Sequence, residues 1–145
     1  MAVSKEILVQ YTDLQKERKE VREKIEKLEK QIETIENDGN VADKVRGGDG
    51  GMQSFKIDGF PYPEYSRKKT LLYARKATLS ELEMELLETL NEVETFIASV
   101  KDSHMRRIIS LRVVDGLSWN KVADCIGGGN TEDSIRMSFN RFMEK

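Results

Sequence analysis

The sequence has 145 residues, a formal net charge of −2, 34% charged and 7% aromatic side chains, one cysteine (Cys125) and one histidine (His104). A single cysteine excludes an internal disulfide, and one His with one Cys excludes the usual zinc frameworks. No apolar run approaches the roughly 18–20 residues of a membrane span, and the N-terminus lacks the pattern of a signal peptide. These features predict a cytoplasmic protein with no membrane partner. No cofactor, metal site or catalytic constellation is expected, and the chain is not read as an enzyme.

Residues 1–36 are read as an N-terminal coiled-coil helix, from about Ser4 to Glu36. Ile7, Leu14, Val21, Leu28 and Ile35 recur every seven residues, and Tyr11, Arg18, Ile25 and Ile32 form a second series between them. Alternating steps of four and three are the d and a positions of a heptad seam. Glu20–Lys24, Glu23–Lys27 and Glu26–Lys30 have the favourable i, i+4 order. A helix of about 50 Å with such a seam requires a partner. Arg18 interrupts the apolar a series, where a polar residue sets register or partner number at some cost in stability.

Residues 37–65 are read as a linker. Asn37-Asp38-Gly39-Asn40 is expected to stop the first helix. Gly47-Gly48-Asp49-Gly50-Gly51 lacks the Gly-Lys-Ser/Thr of a phosphate-binding loop and is taken as flexible connection. Phe55, Ile57 and Asp58-Gly59 suggest a short hairpin or extended segment. Pro61 and Pro63 are expected to prevent a helix directly after it. Phe55, Phe60, Tyr62 and Tyr65 are expected to pack on a helix. Beside Arg67-Lys68-Lys69 they could also form a nucleic-acid patch. Residues 66–100 form a second long helix. Leu72, Leu79, Leu86, Val93 and Val100 are seven apart; Leu90 and Ile97 are expected to complete the seam, with Lys76 and Glu83 in its earlier positions and Leu82 widening it. The two helices can pair within the chain or between copies, giving a possible homodimer through the long helices.

Residues 101–145 are the one net-positive segment, with 8 basic and 6 acidic side chains. Asp102 or Ser103 can cap a helix through Val114, with Gly116 as its stop. Ser118 caps a second helix, Trp119 to Ile126. Gly127-Gly128-Gly129 forms a turn, and Asn130 or Thr131 caps a third helix through Met143, with Glu132 and Asp133 in its first turn. This is a three-helix, helix-turn-helix pattern, making the expected fold all-α: two long coiled-coil-type helices followed by a small C-terminal helix-turn-helix domain. Ile135, Phe139 and Phe142 would close a core with Ile108, Leu111, Leu117, Trp119, Val122 and Ile126. Cys125 is expected on the buried side of its helix, Trp119 in the core, and His104 solvated or at a cap.

The opposite face of the third helix would carry Asp133, Arg136, Met137, Asn140 and Arg141. In a DNA reader that face enters the major groove, where Arg takes guanine bidentately and Asn takes adenine. Arg106, Arg107, Arg112 and Lys121 would contact phosphates.

The run from Ile109 to Ala123, Ile-Ser-Leu-Arg-Val-Val-Asp-Gly-Leu-Ser-Trp-Asn-Lys-Val-Ala, resembles the promoter-reading fourth region of bacterial sigma factors. With Gly-Gly-Gly-Asn-Thr-Glu-Asp-Ser-Ile-Arg-Met after it, the segment looks like the sigma-like regulators of phages and prophages of Gram-positive bacteria, broadly the ArpU and RinA type. The resemblance implies a DNA-binding transcription regulator in which Thr131 caps the recognition helix and Glu132, Asp133, Ser134, Arg136, Met137 and Asn140 lie on or beside the reading surface. It also implies double-stranded DNA as partner and raises RNA polymerase as a second. Two departures stand out: extra glycines lengthen the turn after Ala123, and Lys121 replaces the acid or glutamine that would return the capping bond to Ser118. The alternatives are a small-terminase-like phage DNA-packaging protein and a coiled-coil scaffold without DNA binding.

Overall fold

The computed structural model describes residues 4–46 and 60–145, and these are all-helical. Five α-helices follow in order: α1 Glu6–Arg46, α2 Tyr62–Ser99, α3 Ser103–Ile109, α4 Trp119–Ile126 and α5 Glu132–Glu144. A π-helical turn, Ser110–Val114, continues α3. No described helix is long and apolar enough to cross a membrane. The Gly47–Gly51 linker and the hairpin expected around Phe55–Gly59 lie outside the described residues.

Both long helices differ from expectation at one end. α1 runs through Asn37-Asp38-Gly39-Asn40 to Arg46 instead of stopping at Glu36. Asn, Asp and Gly each disfavour a helix by only about 1 kcal/mol or less relative to Ala, and no proline follows to forbid continuation. α2 begins at Tyr62, not Ser66. The Pro61 carbonyl accepts from the Tyr65 amide at 2.9 Å, and Pro63 sits in the first turn, where a missing N–H leaves no intrahelical bond unmade. Tyr62 and Tyr65 are therefore helical residues, with Phe60 against both at ring distances of 4.5 and 5.3 Å.

The chain divides into two compact units. One is Arg18–Leu82. In it the α1 seam closes on α2 within the same chain: Ile25, Leu28, Ile32 and Leu72 form a buried cluster flanked by Val21, Tyr65 and Leu79. Lys68 donates to Gln31 at 2.9 Å, and Lys76 meets Glu29 at 3.6 Å. Pairing of low-numbered α1 residues with high-numbered α2 residues makes the two helices antiparallel. Lys68 is held across the pair by Gln31, while the Lys69 ammonium lies 5.4 Å from the ring centre of Tyr65, one turn back on α2. Its pKa is raised, chiefly by the hydrogen bond to Tyr65 and the phenol's negative form.

The other unit is Met1–Glu17 with Glu83–Lys145. Ile7, Tyr11 and Leu14 of α1 are buried as the heptad requires. On α2, Leu86 and Val93 are buried as expected, but here the second half of the seam is Thr89 and Phe96, which continue the series of the buried Leu82 in the first unit. Leu90 and Ile97, expected there, are only half-buried. The apolar pair drew the reading one position away from the true series, because one of its members is the polar Thr89.

α1 also has a second working face. Lys5 donates to the Phe142 carbonyl at 2.6 Å, with its ammonium 4.6 Å from the Phe142 ring centre. Gln15 donates to the Val114 carbonyl at 3.4 Å. Leu8 lies between them on the same helical stripe and is 1% exposed. The start of α1 thus forms a wall of the C-terminal bundle, a role outside the heptad and absent from the sequence reading.

Candidate nucleic-acid interface

The bundle is built from caps inward. The Asp102 side chain accepts from the His104 amide and starts α3; the His104 side chain is exposed. Met105, Ile108 and Ile109 are buried along α3, and Val113 continues that face in the π turn. The sequence reading expected one uninterrupted helix to Val114. Instead the Asp115 amide reaches back five residues to the Ser110 carbonyl at 3.0 Å, the wider spacing of a π turn. The Arg112 guanidinium donates to the Leu117 carbonyl at 3.0 Å and lies 4.5 Å from the Trp119 ring centre, tying the exit of that turn to the start of α4.

Ser118 caps α4 by accepting from the Lys121 amide at 3.4 Å. Val122 and Ala123 are buried. Cys125, expected inside, is exposed. On a helix of only eight residues the buried stripe is narrow, and Cys125 falls three positions beyond Val122 on its outer edge.

Between α4 and α5 stand three glycines with positive φ: Gly127 at 68°, Gly128 at 65° and Gly129 at 81°. Gly127, with ψ of −155°, occupies a region open essentially to glycine alone. Asn130 closes the turn, its side-chain amide donating to the Gly127 carbonyl at 2.7 Å. Thr131 then caps α5 reciprocally: Thr131 Oγ1 accepts from the Ser134 amide, and Ser134 Oγ accepts from the Thr131 amide, both at 3.1 Å. Serine here takes the part usually given to Glu or Gln, which is why the box was not visible in the sequence.

α5 packs on α4 and α3. Ile135 is 1% exposed, Phe139 lies 5.2 Å from Trp119, and Phe142 lies 6.2 Å from Phe96. The outer face carries Asp133, Arg136, Met137, Asn140, Arg141 and Glu144, all exposed. Their spacing of three and four residues makes one continuous stripe. Arg136 Nη2 donates to Asp133 Oδ1 at 3.0 Å. Arg141 also edges a shallow open cleft with Val100, Asp102, Met105, Ser138 and Phe142.

The expected interface residues therefore fall into two groups. Arg136, Met137, Asn140 and Arg141 share the outer face of α5, while the Thr131 and Ser134 hydroxyls are engaged in the capping box at its start. The expected phosphate contacts are more scattered. Arg106 donates to the Val100 and Lys101 carbonyls at 2.7 and 3.2 Å, Arg112 is held against Trp119, and Arg107 reaches the Cys125 carbonyl at 3.4 Å. Lys121 is exposed on α4. Among the described residues no group of His, Cys, Asp or Glu side chains converges to hold a metal ion.

The fold and this surface define a class: over the described residues, an all-α protein whose two long helices are followed by a bundle of capped shorter helices in helix-turn-helix order. No protein-family model matches the chain, and no curated protein or solved structure is significantly similar to it.

Proposed function

We propose that the chain is a sequence-specific DNA-binding transcription regulator of phage or prophage type, which presents α5 to the major groove. The observation that carries this reading is the outer face of α5. Arg136, Met137, Asn140 and Arg141 stand together in solvent on a helix anchored from behind by Ile135 and joined to α4 by the glycine turn of residues 127–131. Arg and Asn are the side chains suited to guanine and adenine edges, and a second helix presented after a short turn is how such motifs enter the groove. The resemblance of residues 109–137 to sigma-like regulators supports the same reading. The long helices bury their seam within the chain, so dimerisation is not required to cover it.

The test is fluorescence anisotropy on a labelled random duplex at about 50 and 200 mM salt, with the intact protein beside an Arg136→Ala/Arg141→Ala double variant. Three phosphate contacts would weaken binding about forty-fold over that range. Salt-sensitive binding that the double variant loses is the expected result. Absence of binding by the intact protein at the lower salt overturns the proposal and leaves the scaffold reading.

A further inference from the structure

We propose that Asp133 and Arg136 act as one guanine-reading unit on α5, with Arg136 as the base contact and Asp133 as the positioning residue that aims it; this rests on the DNA-reading role proposed above.

Four arginines of the C-terminal bundle have assigned partners, and they differ in kind. Arg106, Arg107 and Arg112 donate to main-chain carbonyls of the bundle itself. Arg136 alone among these four is paired with a carboxylate, at 3.0 Å and three residues away; Arg112 stacks on the Trp119 ring instead. The Arg136 side chain is 48% exposed and that of Asp133 is 77% exposed, so the pair stands in solvent on the outer face. An exposed pair at i, i+3 adds little to stability. That same small energy biases a long side chain toward one orientation. An unrestrained arginine loses several rotamers when it meets a base, and one already fixed by a neighbour loses fewer.

The geometry leaves the right donors over. A guanidinium has five N–H donors, and Asp133 takes one, on Nη2. The remaining donors include the parallel pair that matches guanine O6 and N7. Asp133 also filters the neighbouring position: its carboxylate only accepts, so it tolerates a cytosine amino group beside the guanine and opposes acceptor-rich edges such as thymine O4. Asn140 lies four residues beyond Arg136, about 6 Å along the axis, and marks a separate contact that does not depend on the pair.

The experiment is selection of bound sites from a random duplex library, performed with the intact protein, Arg136→Lys, Asp133→Ala and Asp133→Glu. Thermal unfolding and random-duplex affinity are measured on each. Arg136→Lys and Asp133→Glu are expected to leave unfolding unchanged, whereas Asp133→Ala removes a first-turn acid and should lower the midpoint slightly. The intact protein should select sites with a fixed guanine. Arg136→Lys keeps the charge but loses the planar fork; measured against its own random-duplex affinity, its guanine preference should fall roughly tenfold or more. Asp133→Ala should bind random duplex at least as tightly, because a charge that repels phosphate is gone, yet lose guanine preference several-fold. Asp133→Glu should restore part of it. A role confined to helix stability would move unfolding and not base preference.

If Asp133→Ala retains full guanine preference while Arg136→Lys loses it, the positioning role is overturned. If both retain it, Arg136 is not the guanine contact. Random-duplex binding without any selected guanine overturns this inference and leaves DNA binding standing, whereas no binding at all overturns both.

Discussion

Removing Ile135 from beneath the exposed face of α5 is the sharpest test of how that face is held. Ile135 is 1% exposed, and the bundle around it contains Ile108, Ile109 and Val122, each at 0%. α5 packs on both α3 and α4, so the site is walled on two sides by helices that cannot collapse independently. Truncation of a buried Ile to Ala costs about 2–5 kcal/mol, with the larger values where the surroundings relax least. The rigid walls place Ile135→Ala at about 3–4 kcal/mol on that scale. This is a large share of the roughly 5–15 kcal/mol that holds a typical domain. With a urea slope of about 1–3 kcal/mol per molar, the midpoint should fall by at least about 1 M. The assay is urea unfolding followed by far-ultraviolet circular dichroism, with Met137→Ala as control. Met137 is two residues away and 56% exposed, and should shift stability by no more than about 0.5 kcal/mol. Equal midpoints for the two variants would refute the assignment of inner and outer faces on α5, and with it the surface on which the functional reading rests.

The local devices of the bundle give three further expectations. Thr131→Ala removes the oxygen that accepts from the Ser134 amide and should cost about 1 kcal/mol; amide hydrogen exchange should accelerate in the first turn of α5 and not in α4. Gly127→Ala adds a Cβ whose nearest neighbour is the Asp124 carbonyl at 4.0 Å, so crowding is no obstacle and the backbone region alone sets the cost, about 1–3 kcal/mol by urea unfolding. Lys5→Met keeps the aliphatic stem but loses the bond to the Phe142 carbonyl and the contact with its ring; a loss of about 1–2 kcal/mol is expected, with faster exchange at the end of α5.

The parts of this molecule legible in the sequence are those governed by strong periodicity or by a side chain with one local use. The α1 seam is readable because its a and d series persist through several heptads, and the cap at Ser118 because a short polar side chain before an apolar run has few other roles; at the other two caps the sequence narrows the choice to Asp102 or Ser103 and to Asn130 or Thr131, and the structure selects Asp102 and Thr131. What escaped did so for physical reasons. The true α2 seam passes through Thr89, which apolar counting skips. Helix continuation through Asn37–Asn40 reflects propensities too weak to act as a stop. The π turn at Ser110–Val114 has no compositional mark. The second face of α1 is carried by Lys5, Leu8 and Gln15, and two of those three are polar residues whose partners are main-chain carbonyls more than ninety residues away.

The arginines of the C-terminal bundle carry the same lesson into function. Counting charge in residues 101–145 gives a net of +2 and treats every guanidinium as surface available to phosphate. Arg106 and Arg112 instead satisfy carbonyls at the α2–α3 junction and at the exit of the π turn, where a planar fork with several donors serves better than a lysine would. Their charges remain, but their directions are fixed by the fold. On the outer face of α5 the charges of Asp133, Arg136, Arg141 and Glu144 balance. The acids offset the arginines, so on this face the sequence-independent attraction of the phosphate backbone depends on Arg136 and Arg141. On the proposed reading, discrimination among duplexes comes from the base edges that Arg136, Met137 and Asn140 reach, so substitutions that keep charge but change shape test it separately from the phosphate attraction that charge removal tests.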